Sequence, residues 1–284
     1  MIENTEKKIA PGLYVTATPI GNLGDITLRA LEVLGQADVI ACEDTRVTGK
    51  LLARYDIKRP TVAYHDHNAE RMLPRLLDHL AQGHKVVLVS DAGTPLISDP
   101  GYRLVHEARK AGYNVTSLPG ASALLAALAS AGLPTDRFLF AGFLPNKTAA
   151  RQKILEEFRS LKATLVFYES PHRLLDCLKD MEQVLGERQV AVCRELTKLY
   201  EEVRQGPVDQ LIAHYEQAPL PKGEIVLVVG PPTISEASDV DVDEALVQAL
   251  RSLSVKEAVA AVTGATGRKR KEVYARALEL AGRD

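Results

Sequence analysis

The stretch K-V-V-L-V-S-D-A-G-T-P-L-I-S-D-P-G, Lys85 to Gly101, decides how the rest of the chain is read. Its unbroken apolar run, Val86 to Val89, has the character of a strand buried on both faces, and Ser90-Asp91-Ala92-Gly93-Thr94-Pro95 cannot continue it. The strand therefore ends in a shaped loop carrying two carboxylates, Asp91 and Asp99, together with Gly93 and Gly101. In open α/β sheets ligands occupy the crevice beyond the carboxyl ends of the strands, which makes this loop a candidate ligand site. The same residues also read as a plain strand-to-helix turn, with Asp99 as N-cap and Pro100 opening the next helix.

Outward from that stretch the pattern repeats. Leu13 to Thr18 reads as a strand, followed by the irregular Pro19-Ile20-Gly21-Asn22-Leu23-Gly24-Asp25-Ile26 and by Thr27 capping a helix from Leu28 to Leu34. Val39 to Cys42 ends in Glu43-Asp44-Thr45-Arg46, with a helix from Val47 to Tyr55 beyond. Thr61 to Tyr64 ends in His65-Asp66-His67-Asn68 before a helix from Ala69 to Leu80. After the Val86 strand come a helix from Tyr102 to Ala111 and a strand from Asn114 to Leu118 that stops at Pro119-Gly120-Ala121-Ser122. Strands separated by helices of this length make right-handed βαβ units and a parallel sheet, so each carboxyl end falls on one rim. Polar residues converge there, as a binding site requires and a purely structural sheet does not.

The alternation continues with an alanine-rich helix from Ala121 to Ala131 and strands at Phe138–Phe143, Thr164–Tyr168, Gln189–Cys193 and Glu224–Gly230. Unusual residues again follow the strands: Gly142 to Pro145, Glu169 to Arg173, and Arg194 to Lys198. The expected organisation is an N-terminal α/β domain over 1–119, a second α/β domain over 120–230, and a linker with a helical tail over 231–284. A pocket between the two α/β domains follows from the preference of such pockets for domain junctions. In the tail, Pro231 to Asp239 reads as the linker, and helices are expected at Val242–Leu250, Val255–Val262 (Ser254 as N-cap) and Lys269–Leu280. The turn Thr263 to Gly267 would join the last two, and Arg268-Lys269-Arg270-Lys271 would place positive charge at a helix amino end. That is the wrong end for the helix dipole, which points to a use other than stability; the pair reads equally as a nucleic-acid-reading helix-turn-helix or as an αα-hairpin with a solvated basic turn, and pattern alone favours the hairpin.

Composition excludes several classes. The chain has 284 residues, 46% hydrophobic and 25% charged, and a net charge of −2, so nucleic-acid contact would have to come from local clusters of its 35 Lys and Arg. The first eight residues lack signal-peptide character, and the greasiest stretch, Ala121 to Leu133, is too short to span a bilayer. Cys42, Cys177 and Cys193 are isolated, which fits reduced thiols in a cytosol and offers no zinc site. Dinucleotide, P-loop and zincin fingerprints are missing, and Gly120-Ala121-Ser122-Ala123-Leu124 lacks the second glycine of a nucleophile elbow. His65 and His67 have no third cluster to complete a metal site, so no metal is expected.

Taken together, T-P-I-G-N-L-G-D-I-T (Thr18 to Thr27), C-E-D-T-R (Cys42 to Arg46), S-D-A-G-T-P-L-I-S-D-P-G (Ser90 to Gly101), G-F-L-P (Gly142 to Pro145), E-S-P-H-R (Glu169 to Arg173), R-E-L-T-K (Arg194 to Lys198) and G-E-I-V-L-V-V-G (Gly223 to Gly230) resemble the ribosomal RNA small subunit methyltransferase I family, which has the tetrapyrrole methylase fold. The resemblance implies an S-adenosyl-methionine-dependent enzyme that methylates the ribose 2′-hydroxyl of a cytidine in the decoding region of 16S ribosomal RNA. That RNA or the small subunit is then the expected partner; a cytoplasmic location, no membrane and a homodimer are expected beside it, although the sequence itself does not show the oligomeric state. On the same resemblance the donor would lie between the α/β domains. Pro19, Asp91, Ala92, Gly93, Ile97 and Ser98 would touch it from the first, and Ala121, Ser122, Tyr168, Leu196, Glu224 and Ile225 from the second. The basic residues Arg268, Lys269, Arg270 and Lys271 are expected to meet RNA phosphates.

A ribose hydroxyl is a weak acid, so a base or an alkoxide-stabilising cation must stand near it. Outside the donor set the rim offers Asp25, Glu43, Asp44, Arg46, His65, Glu169, Arg194, Glu195 and Lys198. Of these, Asp25, Asp44, Arg46 and Lys198 are the catalytic candidates, with the Glu43-Asp44-Arg46 loop expected on the acceptor side. Two other classes stay open: a methyltransferase of the same fold acting on a tetrapyrrole or other small molecule, and a non-enzymatic RNA-binding module.

Overall fold

The computed structural model describes residues 8–232, 239–266 and 268–282. The chain divides into two compact units, 1–231 and 232–284.

The first unit is built on two five-stranded sheets. Strands β1 (Gly12–Thr16), β2 (Val39–Cys42), β3 (Thr61–Ala63), β4 (Lys85–Val89) and β5 (Val115–Leu118) form the first, in the order β3-β2-β4-β1-β5. Every pairing in it is parallel. Between the strands run α1 (Leu28–Gln36), α2 (Thr45–Arg54), α3 (Ala69–Ala81) and α4 (Tyr102–Lys110). The apolar runs are continuous because both faces are covered. Leu13, Val15, Val86 and Leu88 pack in one core with residues of α3 and α4, while Tyr14, Val87 and Val89 pack in another with residues of α1 and α2. Helix α1 starts where expected, with the Thr27 side chain accepting from the Ala30 amide.

The second sheet joins β6 (Phe138–Phe143), β7 (Thr164–Glu169), β8 (Gln189–Arg194), β9 (Glu202–Pro207) and β10 (Ile225–Val229) in the order β6-β7-β10-β8-β9. Only β6 and β7 pair in parallel; β10 runs antiparallel between β7 and β8, and β9 folds back on β8. One face packs on α6 (Thr148–Glu157), α7 (Leu174–Leu185) and α8 (Val208–Gln217), the other on α5 (Ala123–Ser130) and on Ile20 from the loop after β1. The antiparallel insertion brings the amino end of β10, at Glu224 and Ile225, to the rim where β7 and β8 end, since Ile225 stands opposite both Glu169 and Arg194.

Some sequence expectations shift. Asp99 is not the cap of α4: Gly101 holds that position at φ 133°, and the helix opens at Tyr102. Helix α2 begins at Thr45, earlier than expected, because Asp44 caps it by accepting from the Arg46 amide. Helix α5 begins after Ser122, whose side chain caps the Leu125 amide, so Ala121 belongs to the preceding loop.

The second unit holds α9 (Asp239–Leu250), α10 (Val255–Thr266) and α11 (Arg270–Ala281) around Val242, Leu246, Val259, Val262, Val273 and Ala277. Ser254 and Glu257 form a reciprocal capping box at the start of α10. The turn expected from Thr263 is helical as far as Thr266, and Gly267 lies outside the described residues, as does the central part of the expected linker, 233–238. Among the described residues no helix is long and apolar enough to cross a membrane.

Candidate active site

The loops after β1 and β4 are tied to each other before they meet any ligand. Thr18 and Gly93 exchange two backbone hydrogen bonds (2.9 and 3.0 Å), and the Thr18 hydroxyl donates to the Ser90 carbonyl at 3.0 Å. The Asp44 amide donates to Asp91 Oδ1 at 3.0 Å, which brings in the loop after β2. The Thr94 hydroxyl donates to the Ala121 carbonyl at 3.0 Å, which brings in the entry to α5. Three strand ends of the first sheet and the start of α5 thus form one rigid wall.

Facing this wall across a cleft of ≈ 430 Å³ are the ends of β7 and β8 and the start of β10. Of the expected donor residues, Asp91, Ala92, Gly93, Ile97, Ser98 and Ser122 line the cleft from one side, and Tyr168, Leu196, Glu224 and Ile225 from the other. Pro19 and Ala121 do not line it. Pro19 lies between Thr18 and Ile20, the latter a lining residue, and Ala121 contributes the carbonyl held by Thr94.

Backbone strain gathers at the same place. Leu96 (φ 74°), Ser98 (φ 60°), Glu195 (φ 51°) and Thr197 (φ 67°) all lie in the left-handed region that non-glycine residues avoid. They occur as two pairs, each flanking one apolar residue that lines the cleft, Ile97 in the loop after β4 and Leu196 in the loop after β8. Each strained residue costs about 1–3 kcal/mol and persists where the surroundings over-determine it, as at ligand clamps.

Asp99, Phe143 and Glu169 also line the cleft and were not singled out as donor contacts by the sequence. Asp99 is half-buried; burial pushes its carboxyl up to about 6, with the charges of Glu43 and Asp91 adding to the shift and a hydrogen bond with Ser90 opposing it. Burial likewise raises Glu43, helped by Asp91. Burial raises the Tyr168 phenol, and the charge of Asp99 adds to this. Glu169 is buried, its Oε1 accepting from the Ser170 amide at 2.8 Å and lying 3.3 Å from Arg173 Nε.

The four catalytic candidates stand outside the cleft lining. Asp44 grips Arg46 (2.6 Å), and hydrogen bonds from the Arg46 side chain and amide hold its carboxyl at about 2, which makes it a weak base; the Arg46 side chain is otherwise open to solvent. Lys198 Nζ donates to Glu195 Oε1 (2.7 Å) and to Glu224 Oε2 (2.8 Å). Partial burial pulls its pKa down, but the two carboxylates outweigh that and raise it. Its stem crosses the loop after β1 so closely that a Cβ on Gly21 would come within 2.4 Å of Lys198 Cγ. Asp25 is exposed at the end of the 3-10 turn Leu23–Asp25. Among the other rim candidates, Arg194 pairs with Glu202 (3.2 Å), and the His65 amide donates to Asn68 Oδ1 (3.0 Å). In the second unit Lys269, Arg270 and Lys271 are exposed at the amino end of α11, and Arg268 is partly buried.

Comparison with known proteins places this architecture. The profile of the Tetrapyrrole (Corrin/Porphyrin) Methylases matches residues 12–212, and that of the RsmI C-terminal HTH domain matches residues 236–281. Cobalt precorrin-4 methyltransferase, a cobalamin biosynthetic enzyme, superposes with a TM-score of 0.57 at 21% identity over 77% of this chain and 94% of its own. Diphthine synthase does so with a TM-score of 0.59 at 17% identity over 77% and 89%. These likenesses show the fold. The Ribosomal RNA small subunit methyltransferase I of Mesorhizobium japonicum is 50% identical over 99% of this chain and 97% of its own, and that of Escherichia coli O157:H7 is 47% identical over 95% and 96%. The chain belongs to the tetrapyrrole methylases and, within them, to the ribosomal RNA small subunit methyltransferase I family.

Proposed function

We propose that the protein transfers a methyl group from S-adenosyl-methionine to the ribose 2′-hydroxyl of a cytidine in the decoding region of 16S ribosomal RNA. The observation that carries this reading is the convergence, in one cleft, of a rigid strained wall from the first sheet and the β7, β8 and β10 ends of the second.

The cleft suits the donor's chemistry. Its size falls within the range typical of small-molecule sites. Ile20, Ile97, Leu196 and Ile225 give apolar contact for an adenine and a methylene chain, while Asp91, Asp99 and Glu224 offer carboxylates to a ribose diol and to positive charge. Bound there, the donor would supply an electrophilic methyl group on a sulfonium cation.

The remaining work is positioning and proton transfer. Asp99, held partly away from water, is the carboxylate in the cleft whose pKa is set for accepting a proton near neutral pH, and we assign it the hydroxyl proton. Arg46, anchored by Asp44, and Lys198, anchored by Glu195 and Glu224, are the cations for the acceptor's phosphate and the developing alkoxide. Asp25 would orient the acceptor from the loop after β1. The exposed basic residues of α11 would meet RNA phosphates, in keeping with the helix-turn-helix profile that covers them. The test is transfer of label from radiolabelled S-adenosyl-methionine to small subunits from a strain lacking the enzyme: label in 16S RNA supports the reading, and no transfer to RNA rejects it.

A further inference from the structure

Phe143 presents its ring where a regular strand would not. Strand β6 pairs with β7 as Phe138 to Thr164, Leu139 to Leu165 and Phe140 to Val166; the next pair is Phe143 to Tyr168, although unbroken register would set Gly142 there. The strand therefore carries one extra residue, and Gly142 takes the positive φ (65°) of that bulge. Leu139 and Ala141 point to the face covered by α6, α7 and α8, and simple alternation would send Phe143 the same way. The bulge reverses it. The ring stands edge-on to Tyr168, 5.5 Å between centroids, and Tyr168 in turn is edge-on to Phe140 at 4.9 Å.

The result is an aromatic ring that lines the cleft yet is 58% exposed. Its backbone is fixed: Arg173 donates to the carbonyls of Leu144 (2.6 Å) and Pro145 (3.1 Å) just beyond it, and Arg173 is itself held by Glu169. An unused phenylalanine would be more stable buried on the helical face. A bulge that turns an aromatic side chain out toward a ligand cleft, on clamped backbone, has the form of a stacking platform for a planar ring.

Resting on the function proposed above, we infer that Phe143 is the platform on which the base of the acceptor nucleotide stacks once drawn out of its helix, so that it holds the acceptor nucleotide in the cleft. The acceptor rather than the donor's adenine is assigned to it because, of the apolar groups offered to the donor, Ile20, Leu196 and Ile225 are buried and Ile97 is 37% exposed, whereas Phe143, at 58%, stands more open to a polymeric substrate. Stacking on an aromatic side chain tolerates any base and needs no hydrogen-bond readout, so Phe143 would hold the base in place without choosing it.

The experiment uses the full-length chain and small subunits lacking the modification. Phe143→Ala should raise KM for subunits about five- to 150-fold, with kcat within about threefold of wild type and donor affinity by calorimetry unchanged. Phe143→Trp should restore KM. As the chain has no tryptophan of its own, the emission of that variant in excess of wild type mixed with the same subunits reports the site, and it should be quenched by subunits and not by S-adenosyl-methionine alone. An unchanged KM in Phe143→Ala, a loss of donor affinity, or tryptophan emission indifferent to subunits would each overturn the assignment. Wild-type turnover on the same subunits is the control that separates this failure from failure of the proposed function.

Discussion

The backbone amide of Asp44 donates to Asp91 Oδ1 at 3.0 Å, so one carboxylate at the cleft also holds the amino end of α2. Asp91→Ala is expected to weaken S-adenosyl-methionine binding roughly tenfold to 150-fold, the scale of a lost hydrogen bond to a charged group. Asp91→Asn keeps an acceptor for the Asp44 amide and should recover part of that loss. Calorimetric titration of both variants makes the check; equal affinity in all three proteins would remove Asp91 from the donor site.

Asp99 predicts a pH dependence of defined sign. Its carboxyl is raised from 3.8 to about 6 in the folded protein, so the native state binds the proton more tightly than the unfolded chain. Stability from this group is therefore lost as pH rises from about 4 to about 6 and stays lost above. Asp99→Asn removes the penalty: denaturant unfolding should find the variant more stable than wild type at about pH 7, with the advantage gone below about pH 4. Binding of a cationic donor favours the ionised carboxylate, so wild-type donor affinity should climb across the same window and the variant's should stay flat. A stability difference independent of pH would contradict the placement of this group.

How much of this is legible in the residues depends on where each side chain finds its partners. Strand β4 declares itself because both its faces are buried, leaving an unbroken run from Val86 to Val89. Strand β9, E-V-R-Q-G-P, does not: it is an edge strand of intermediate burial, stabilised by pairing with β8, and has neither an apolar run nor clean alternation. The antiparallel insertion of β10 is equally silent, because G-E-I-V-L-V-V-G fixes a buried strand and not its direction. Most of the donor set that the family resemblance implies lines the cleft; the local signal of strand-end glycine and acid marks the loops but not residues such as Tyr168, Leu196 or Ile225. Asp99 resembles a helix cap because of its Pro100 neighbour, but the chain turns at Gly101, whose φ of 133° suits glycine, and the helix starts after it. Phe143 does have a local signal, the isolated Gly142 inside a strand pattern, which marks a bulge.

Away from the cleft, Arg151 on α6 and Asp180 on α7 form a buried pair at 2.5 Å, with side chains 3% and 7% exposed. Gln152 adds a bond to Asp180 Oδ1 at 2.7 Å. Asp180→Ala leaves a guanidinium buried without a counter-charge and should cost about 3–5 kcal/mol of unfolding free energy. Arg151→Met combined with Asp180→Leu should cost far less, and denaturant melts of the single and double variants decide between the two.

Lys269, Arg270 and Lys271 are exposed and Arg268 partly so, in a chain of net charge −2. Replacing all four by Gln is expected to flatten the dependence of RNA affinity on log salt by about 0.7–0.9 for each phosphate that these side chains neutralise. A slope equal to that of wild type would leave the cluster as a solvated turn.

Whether the methyl group goes to a ribose hydroxyl is decided by alkaline hydrolysis of 16S RNA labelled by the enzyme. Alkaline cleavage of RNA proceeds through the free 2′-hydroxyl, so a methylated ribose protects the bond on its 3′ side. The label is expected in an alkali-resistant dinucleotide whose 5′ residue is a cytidine from the decoding region. Label released in single nucleotides would place the methyl on a base and contradict transfer to the ribose.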